Sequence, residues 1–251
     1  MQRLVIIPTY NERENVARMI DKVLSLEGNF HLLFVDDGSP DGTASIIKER
    51  QTQEVSTEDE QTLPPHTQRI HLIERKGKLG LGTAYIAGFR WALEHGYDHI
   101  FEMDCDFSHN PDDLLRLDRR LTQDADVVIG SRYVRGVNVV NWPLSRLLMS
   151  YFASKYVRTV TRMSVCDATA GFVGYRREVL QTLNLDKVQM IGYGFQIEMK
   201  YTAWRHGFKL AEESIIFIDR EAGTSKMSSG IFGEAFFGVL RLPWRRLGKR
   251  K

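Results

Sequence analysis

Apolar and polar positions along this chain alternate between two rhythms. LVIIP (4–8) is a short unbroken apolar run of strand length. Val16, Met19, Ile20, Val23 and Leu24 then recur at the three- and four-residue spacing that lines one face of a helix. Asn11, with Glu14 three residues later, has the form of a capping box opening that helix. The change of rhythm repeats. HLLFVDD (31–37) predicts a strand and DGTASIIKER a helix opening at Asp41 to Thr43. RIHLIE, the helix TAYIAGFRWALEHG, HIFEMD, the helix NPDDLLRLDRRL and DVVIGS continue the series. Asn110 is placed to cap the last of these helices, with Pro111 at its first position, where a missing N–H leaves no bond unmade. Repeated β and α units predict an α/β fold, a mostly parallel central sheet with helices on both faces.

The segment 51–68, polar, acidic and proline-containing, interrupts the alternation and predicts a surface insertion without chemistry. With 251 residues, 43% of them apolar and 26% charged, the chain has a globular composition and needs only one main domain. Its longest stretch without Asp, Glu, Lys or Arg is the eleven residues from Leu79 to Phe89, short of the roughly eighteen a spanning helix requires. The N-terminus passes directly into a strand, and Cys105 and Cys166 form no disulfide framework, so a cytoplasmic location is expected.

Net charge is only +2, but it is unevenly spread. Arg132 to Cys166 carries six basic residues and no acid, and Ala235 to Lys251 carries six more, also without an acid. Taking these twelve from the 34 Lys and Arg leaves 22 against 32 Asp and Glu, so two segments concentrate the positive charge as if facing an anionic surface or ligand.

In parallel α/β sheets ligands bind beyond the carboxyl ends of the strands. That rule sorts the acids. With sixteen Asp in the chain, a chance Asp-x-Asp is expected, and there are two. Asp124 and Asp126 precede their strand and belong to the wrong end. Asp104 and Asp106 follow HIFEM, as Asp36 and Asp37 follow HLLFV. Carboxylates gathered at one edge repel unless a cation or donors neutralise them, and a hard divalent ion, Mg²⁺ or Mn²⁺, suits one or two carboxylates completed by phosphate oxygens. Capping of the following turns is the alternative use, and it suffices for Asp36 alone.

IIPTYNE, VDDGSPDGT, GLGTAY, MDCDFSH and GSRYVRG, in this order and spacing, resemble the family-2 glycosyltransferases of GT-A fold, most closely the dolichol- and polyprenol-phosphate mannosyltransferases. The resemblance spans roughly residues 3 to 230. It implies a GDP-mannose donor with Pro8, Tyr10, Glu12, Asp36 and Asp37 around base and ribose, and Lys78 and Gly80 of KLGLGTAY beside them. Gly80 and Gly82 serve equally for a tight turn before a helix capped by Thr83. Asp104 and Asp106 hold metal and diphosphate by the same resemblance, and Ser108 takes the third metal position, where some relatives have Gln. Arg132, Arg146 and Ser150 bind the acceptor phosphate, while Arg220 and Lys226 of DREAGTSK close over the diphosphate.

Many relatives that glycosylate hydroxyls carry an acid pair late in the domain. Here GYGFQIEMKYTAWRHG offers only Glu198, which serves equally as a structural contact. An ionised phosphate acceptor needs guanidinium groups rather than a base. The resemblance therefore implies inverting transfer of mannose to a polyprenyl phosphate. A UDP-sugar donor such as UDP-glucose, or a catalytically silent sugar-nucleotide-binding adaptor, stays open from sequence. The segment 136–166, above all WPLSRLLMSYFASKYVRTV, mixes aromatic, apolar and basic residues in a composition equally suited to a membrane interface or to a core helix with one wet face. The stretch 231–251 pairs Phe232, Phe236, Phe237, Leu240, Leu242 and Trp244 with six cations, giving a basic tail for peripheral attachment to the cytoplasmic face of a membrane. No nucleic-acid motif accompanies it, and the absence of GxGxxG after the first strand disfavours a dehydrogenase.

Overall fold

The structure, a computed structural model, describes residues 1–57, 68–190, 192–219 and 230–244. Strand and helix alternate through the first half: β1 (Arg3–Thr9), α1 (Val16–Leu24), β2 (Phe30–Asp36), α2 (Thr43–Thr57), β3 (Ile70–Glu74), α3 (Leu81–Glu94), β4 (His99–Glu102), α4 (Asp113–Gln123) and β5 (Val127–Ser131). The second half adds β6 (Val139–Val140), α5 (Leu144–Thr161), β7 (Val173–Arg176), α6 (Arg177–Thr182), α7 (Tyr193–Arg205), β8 (Leu210–Ser214), β9 (Phe217–Ile218) and α8 (Gly230–Arg241). Seven strands form one sheet in the order β3-β2-β1-β4-β7-β5-β8, parallel except for the pairs made by β7, and β6 pairs with β9 in a small second sheet.

Both faces of the sheet are buried, so its central strands are apolar throughout rather than alternating with polar residues. Leu4, Ile6, Leu33 and Val35 share one core with residues of α3, α5, α6 and α7. Their strand neighbours Val5, Ile7, Leu32 and Phe34 point the other way, into a second core with α1, α2 and α4. At the crossing of α3 and β1 a Cβ on Gly88 would stand 2.6 Å from Ile6 Cγ2, so only glycine lets the helix sit this low.

Local details differ from the sequence expectations. Asn11 does not cap α1; it adopts φ 58° and its N–H donates to Ser39 Oγ, and the helix starts four residues further on. Asn15 Nδ2 bonds Glu12 Oε2 there, tying the turn instead. In the second βα turn Asp41 Oδ1 accepts from the N–H and hydroxyl of Thr43, an arrangement local enough to be legible. Residues 51–57 of the expected insertion continue α2, and 58–67 lie outside the described residues. SIIFID is not one strand: Ser214 ends β8 and Phe217 begins β9 in the other sheet. The segment expected as a tail is, through Leu242, part of the fold: Val239 and Leu242 are 1% and 2% exposed within the α3-side core.

Away from the carboxyl edge, His31, His71, Tyr97 and Trp91 pack between β2, β3 and α3. Tyr97 Oη lies 2.9 Å from His31 Nδ1 and 3.2 Å from His71 Nε2, and His71 packs on Trp91 at 4.7 Å. Burial pushes the His71 imidazole down to about 4, with His31 and His95 adding to the shift, and burial lowers His31 too. The folded state therefore prefers neutral rings. The stabilisation is complete above the ordinary value of 6.5 and is lost as pH falls towards about 4, because the unfolded chain takes up protons first. The melting temperature is expected to drop between pH 7 and pH 5, and His71→Phe to recover part of that drop. An equal drop in that variant, followed by circular dichroism, would remove His71 as a cause.

Candidate active site

The carboxyl ends of β4 and β5 open into a cavity of about 730 Å³, within the range of small-molecule sites. Its wall is polar at Asp104, Asp106, Ser108, Arg132 and Arg146 and apolar at Met149, Phe152, Val157, Phe236 and Phe237 from α5 and α8.

The loop after β4 explains why a cysteine separates two aspartates. Asp104, Asp106 and Ser108 of this loop line the cavity. Cys105 is buried in the core beneath, where Phe107 also packs. Phe107 holds φ 58°, a strained value for a bulky residue, and its ring lies under Arg18 at 5.0 Å. Asp106 Oδ1 accepts from the Ser108 N–H at 3.1 Å, and Ser108 Oγ is buried with no hydrogen-bond partner among the described residues. Two carboxylates and an unsatisfied hydroxyl make a hard oxygen donor set, which fits Mg²⁺ or Mn²⁺ completed by diphosphate oxygens. Among the described residues no group of three or more His, Cys, Asp or Glu is placed to hold an ion by itself.

Arg132 and Arg146 reach the same cavity by different supports. Asp167 is fully buried and clasps Arg132, with Nε and Nη2 each at 2.6 Å from a carboxylate oxygen and the backbone N–H at 3.0 Å. Burial alone would raise the Asp167 carboxyl, but the Arg132 guanidinium outweighs it and holds the group below its ordinary value. Thr169 Oγ1 accepts from Arg132 Nη2 at 2.9 Å. Arg146 is half-exposed by comparison. Its Nη1 donates to both oxygens of Asp219 at 2.9 Å, and its guanidinium lies 4.2 Å from the centre of the Trp142 ring. Ser150 Oγ accepts from Tyr133 Oη at 2.8 Å and also faces the cavity. Asp167, Asp219, Thr169 and the inward-facing Trp142 were missed as site residues, since the first three meet the arginines from 35 or more positions away and composition alone does not say which way Trp142 faces.

The residues expected around the nucleotide gather at the ends of β1 and β2, beside the cavity rather than in its wall. Asp36 is 1% exposed and accepts from Thr9 Oγ1 and from both N–H and hydroxyl of Ser39, so its carboxylate organises the turn, the alternative weighed for it above. Asp37 is gripped by Arg75 at 2.5–2.6 Å, and Arg75 also donates to Thr83 Oγ1 and Gly80 O. Lys78 Nζ lies 5.3 Å from the Tyr10 ring centre. The Glu12 N–H donates to Thr43 Oγ1, and Pro8 pairs in register with Val35. Gly80, at φ 97° and ψ 148°, opens α3 in a conformation only glycine adopts freely; the helix begins at Leu81, not at Thr83. Leu81 and Tyr85 of that helix form cavity wall, linking the two groups.

The floor is buried and polar. Burial pushes the Glu102 carboxyl up to about 8, against a 2.7 Å bond from Gln196 Nε2, so at neutral pH it adds little charge beneath Asp104. Burial pushes Lys200 down to about 8, and its Nζ donates to Ala168 O and Ala170 O, fixing the loop that presents Thr169 and Gly171. Glu198 accepts from the N–H groups of Gln189 and Met190 and is not part of the cavity wall, which is the structural use. At the far end of the sheet Asp124 pairs with Arg120, and Asp126 accepts from the Lys209 N–H. Arg220 and Lys226 lie outside the described residues, as does the chain from residue 245.

A mostly parallel sheet with an Asp-x-Asp loop at its carboxyl edge and an arginine-lined cavity beside it is the layout of a GT-A glycosyltransferase. The profile of the Glycosyl transferase family 2 matches residues 4–183, and the chain belongs to that family. A Mycolicibacterium smegmatis protein named polyprenol monophosphomannose synthase is 44% identical over 94% of this chain and 84% of its own length. An undecaprenyl-phosphate mannosyltransferase of Micrococcus luteus is 43% identical, covering 96% and 93%. These relatives support an enzyme of polyprenyl-phosphate mannose transfer. The fold is shared with glucosyl-3-phosphoglycerate synthase of Mycobacterium tuberculosis, solved with Mn²⁺, uridine diphosphate and glucosyl-3-phosphoglycerate. That match has a TM-score of 0.62 at 16% identity, over 100% of this chain and 81% of the other. Among the described residues no helix is long and apolar enough to cross a membrane.

Proposed function

We propose that this chain transfers mannose from GDP-mannose to the phosphate of a polyprenyl phosphate, with inversion, at a membrane surface it contacts peripherally. The observation that carries this reading is one cavity whose wall holds paired aspartates and two arginines together with an apolar surface from α5 and α8. Asp104 and Asp106, with Ser108, would hold Mg²⁺ or Mn²⁺, whose charge offsets that of the departing diphosphate. Tyr10, Glu12, Asp37 and Lys78 hold the nucleoside, placing the sugar above Asp106. Arg132 and Arg146, with Ser150, orient the acceptor phosphate. That phosphate, with a second pKa of about 6, is largely dianionic at neutral pH, so no residue has to remove a proton. In support, the cavity's only other carboxylate among the described residues, Asp219, is paired with Arg146. Attack from the face opposite the diphosphate turns an α-linked donor into a β-linked product.

The test is incubation with a short polyprenyl phosphate and radiolabelled GDP-mannose or UDP-glucose, with Mg²⁺, with Mn²⁺ or with EDTA. Labelled lipid from GDP-mannose alone, lost in EDTA, is expected. Label from UDP-glucose, or transfer undiminished by EDTA, would overturn the donor or the metal.

Large apolar side chains are exposed on the two helices that supply the cavity's apolar wall: Leu144, Leu148 and Phe152 of α5, and Phe237 and Trp244 at and after α8. Tyr156 and Phe236 stack at 4.8 Å where the two helices meet. With exposed Lys155 and Arg158 nearby in sequence, this surface suits an anionic bilayer. Leu144 and Trp244 are 68% and 87% exposed and are not in the cavity wall. Replacing both with serine is expected to weaken sedimentation with anionic vesicles by about tenfold or more. Transfer to a short detergent-soluble acceptor should persist. Unchanged sedimentation would contradict the membrane role of this face.

A further inference from the structure

The two arginines share one aromatic ring. Arg132 Cζ lies 5.4 Å and Arg146 Cζ 4.2 Å from the centre of the Trp142 indole, and Phe217 packs edge-on against the same ring at 5.2 Å. Two guanidinium groups facing one cavity repel each other, and nothing in their ion pairs alone fixes their relative placement. Arg132 is clasped by Asp167 through two nitrogens, but Arg146 meets Asp219 through Nη1 only. A one-nitrogen contact leaves the guanidinium able to pivot about that atom, and Nε and Nη2 make no hydrogen bond among the described residues. The indole face removes this freedom, because a cation is drawn to the negative face of the ring and a planar guanidinium stacks there.

We propose that Trp142 is a positioning residue for acceptor phosphate, holding Arg146 on its ring in register with Arg132 so that one phosphate meets both cations. This rests on the reading that these arginines bind that phosphate. Asp219 fixes one nitrogen of Arg146, Trp142 fixes the plane, and the remaining N–H edge is directed to the ligand. The indole Nε1–H is buried and has no hydrogen-bond partner among the described residues. Phenylalanine would therefore sacrifice ring area without breaking a bond, whereas leucine or methionine would fill the space without a π face.

The experiment measures steady-state constants for Trp142→Phe, Trp142→Leu, Trp142→Met and Arg146→Ala with GDP-mannose and a short polyprenyl phosphate, alongside melting temperatures. The Leu and Met variants are expected to raise the acceptor KM about tenfold while the donor KM stays within about twofold, and Phe to restore the acceptor KM to within about threefold. If the Leu variant does not fold, the comparison of Phe with Met decides. An unchanged acceptor KM in Met, a donor KM that rises in parallel, or a Phe variant as impaired as Met each overturns the proposal. Arg146→Ala separates the two levels. A raised acceptor KM there with none in the Trp142 variants overturns only the positioning role, whereas an unchanged KM in Arg146→Ala overturns the acceptor-phosphate reading beneath it.

Discussion

Asp106→Ala is expected to lower kcat by about a thousandfold or more while leaving the melting temperature within a few degrees of the parent. The side chain lines the cavity rather than the core, where its carboxylate accepts a bond from the Ser108 N–H, so its removal opens no void in the core. On the proposed function, what it removes is a ligand for the ion that balances charge on the departing diphosphate. Loss of one preorganised group of this kind costs about two to three orders of magnitude, and an incomplete metal site adds to that. Asp106→Asn keeps the shape and tests the charge alone. Near-parental activity in either variant, measured at saturating Mg²⁺ or Mn²⁺, would contradict the role given to this loop.

Arg132→Ala is expected to unfold the protein more easily as well as inactivate it, by roughly 3–5 kcal/mol in denaturant titration. Asp167 is fully buried, and Arg132 supplies its two shortest hydrogen bonds. Removing the guanidinium strands a carboxylate that cannot reach water. The double variant Arg132→Ala with Asp167→Ala should regain part of the stability and none of the activity, because the stranded charge is gone but the phosphate ligand is still missing. Arg146→Ala provides the contrast. Its partner Asp219 is about a quarter exposed, at 28%, so the pair contributes at most about 1 kcal/mol. Equal destabilisation by the two arginine variants would refute this division of labour.

The alternating βα half of the fold was legible because each strand and helix announces itself within a few residues. LVIIP and HLLFV are apolar on both faces of the sheet, and Asp104, Asp106 and Ser108 follow the strand HIFE to the carboxyl edge, where they line the cavity. The second half was less legible. VGYR runs antiparallel between β4 and β5, a direction no local pattern encodes. Asn11 looked like a cap because the sequence matched one, yet its N–H found Ser39 across the chain. The cationic site was half visible: Arg132 and Arg146 came from motif resemblance, whereas Asp167 and Asp219 reach them from 35 and 73 positions away and the direction Trp142 faces is set by the fold. WPLSRLLMS read equally as a membrane face or a wet core helix, and its first aromatic faces inward, against both arginines, while Leu144 and Leu148 face outward.

The central claim is that donor diphosphate, divalent ion and acceptor phosphate meet in the cavity between Asp106 and Arg146. The most direct test is an anomalous-difference map from a crystal soaked with GDP-mannose and Mn²⁺. The account predicts a manganese peak against the carboxylates of Asp104 and Asp106, with the diphosphate bridging from it towards Arg132. A peak and diphosphate seated elsewhere, with those two carboxylates uninvolved, would contradict it.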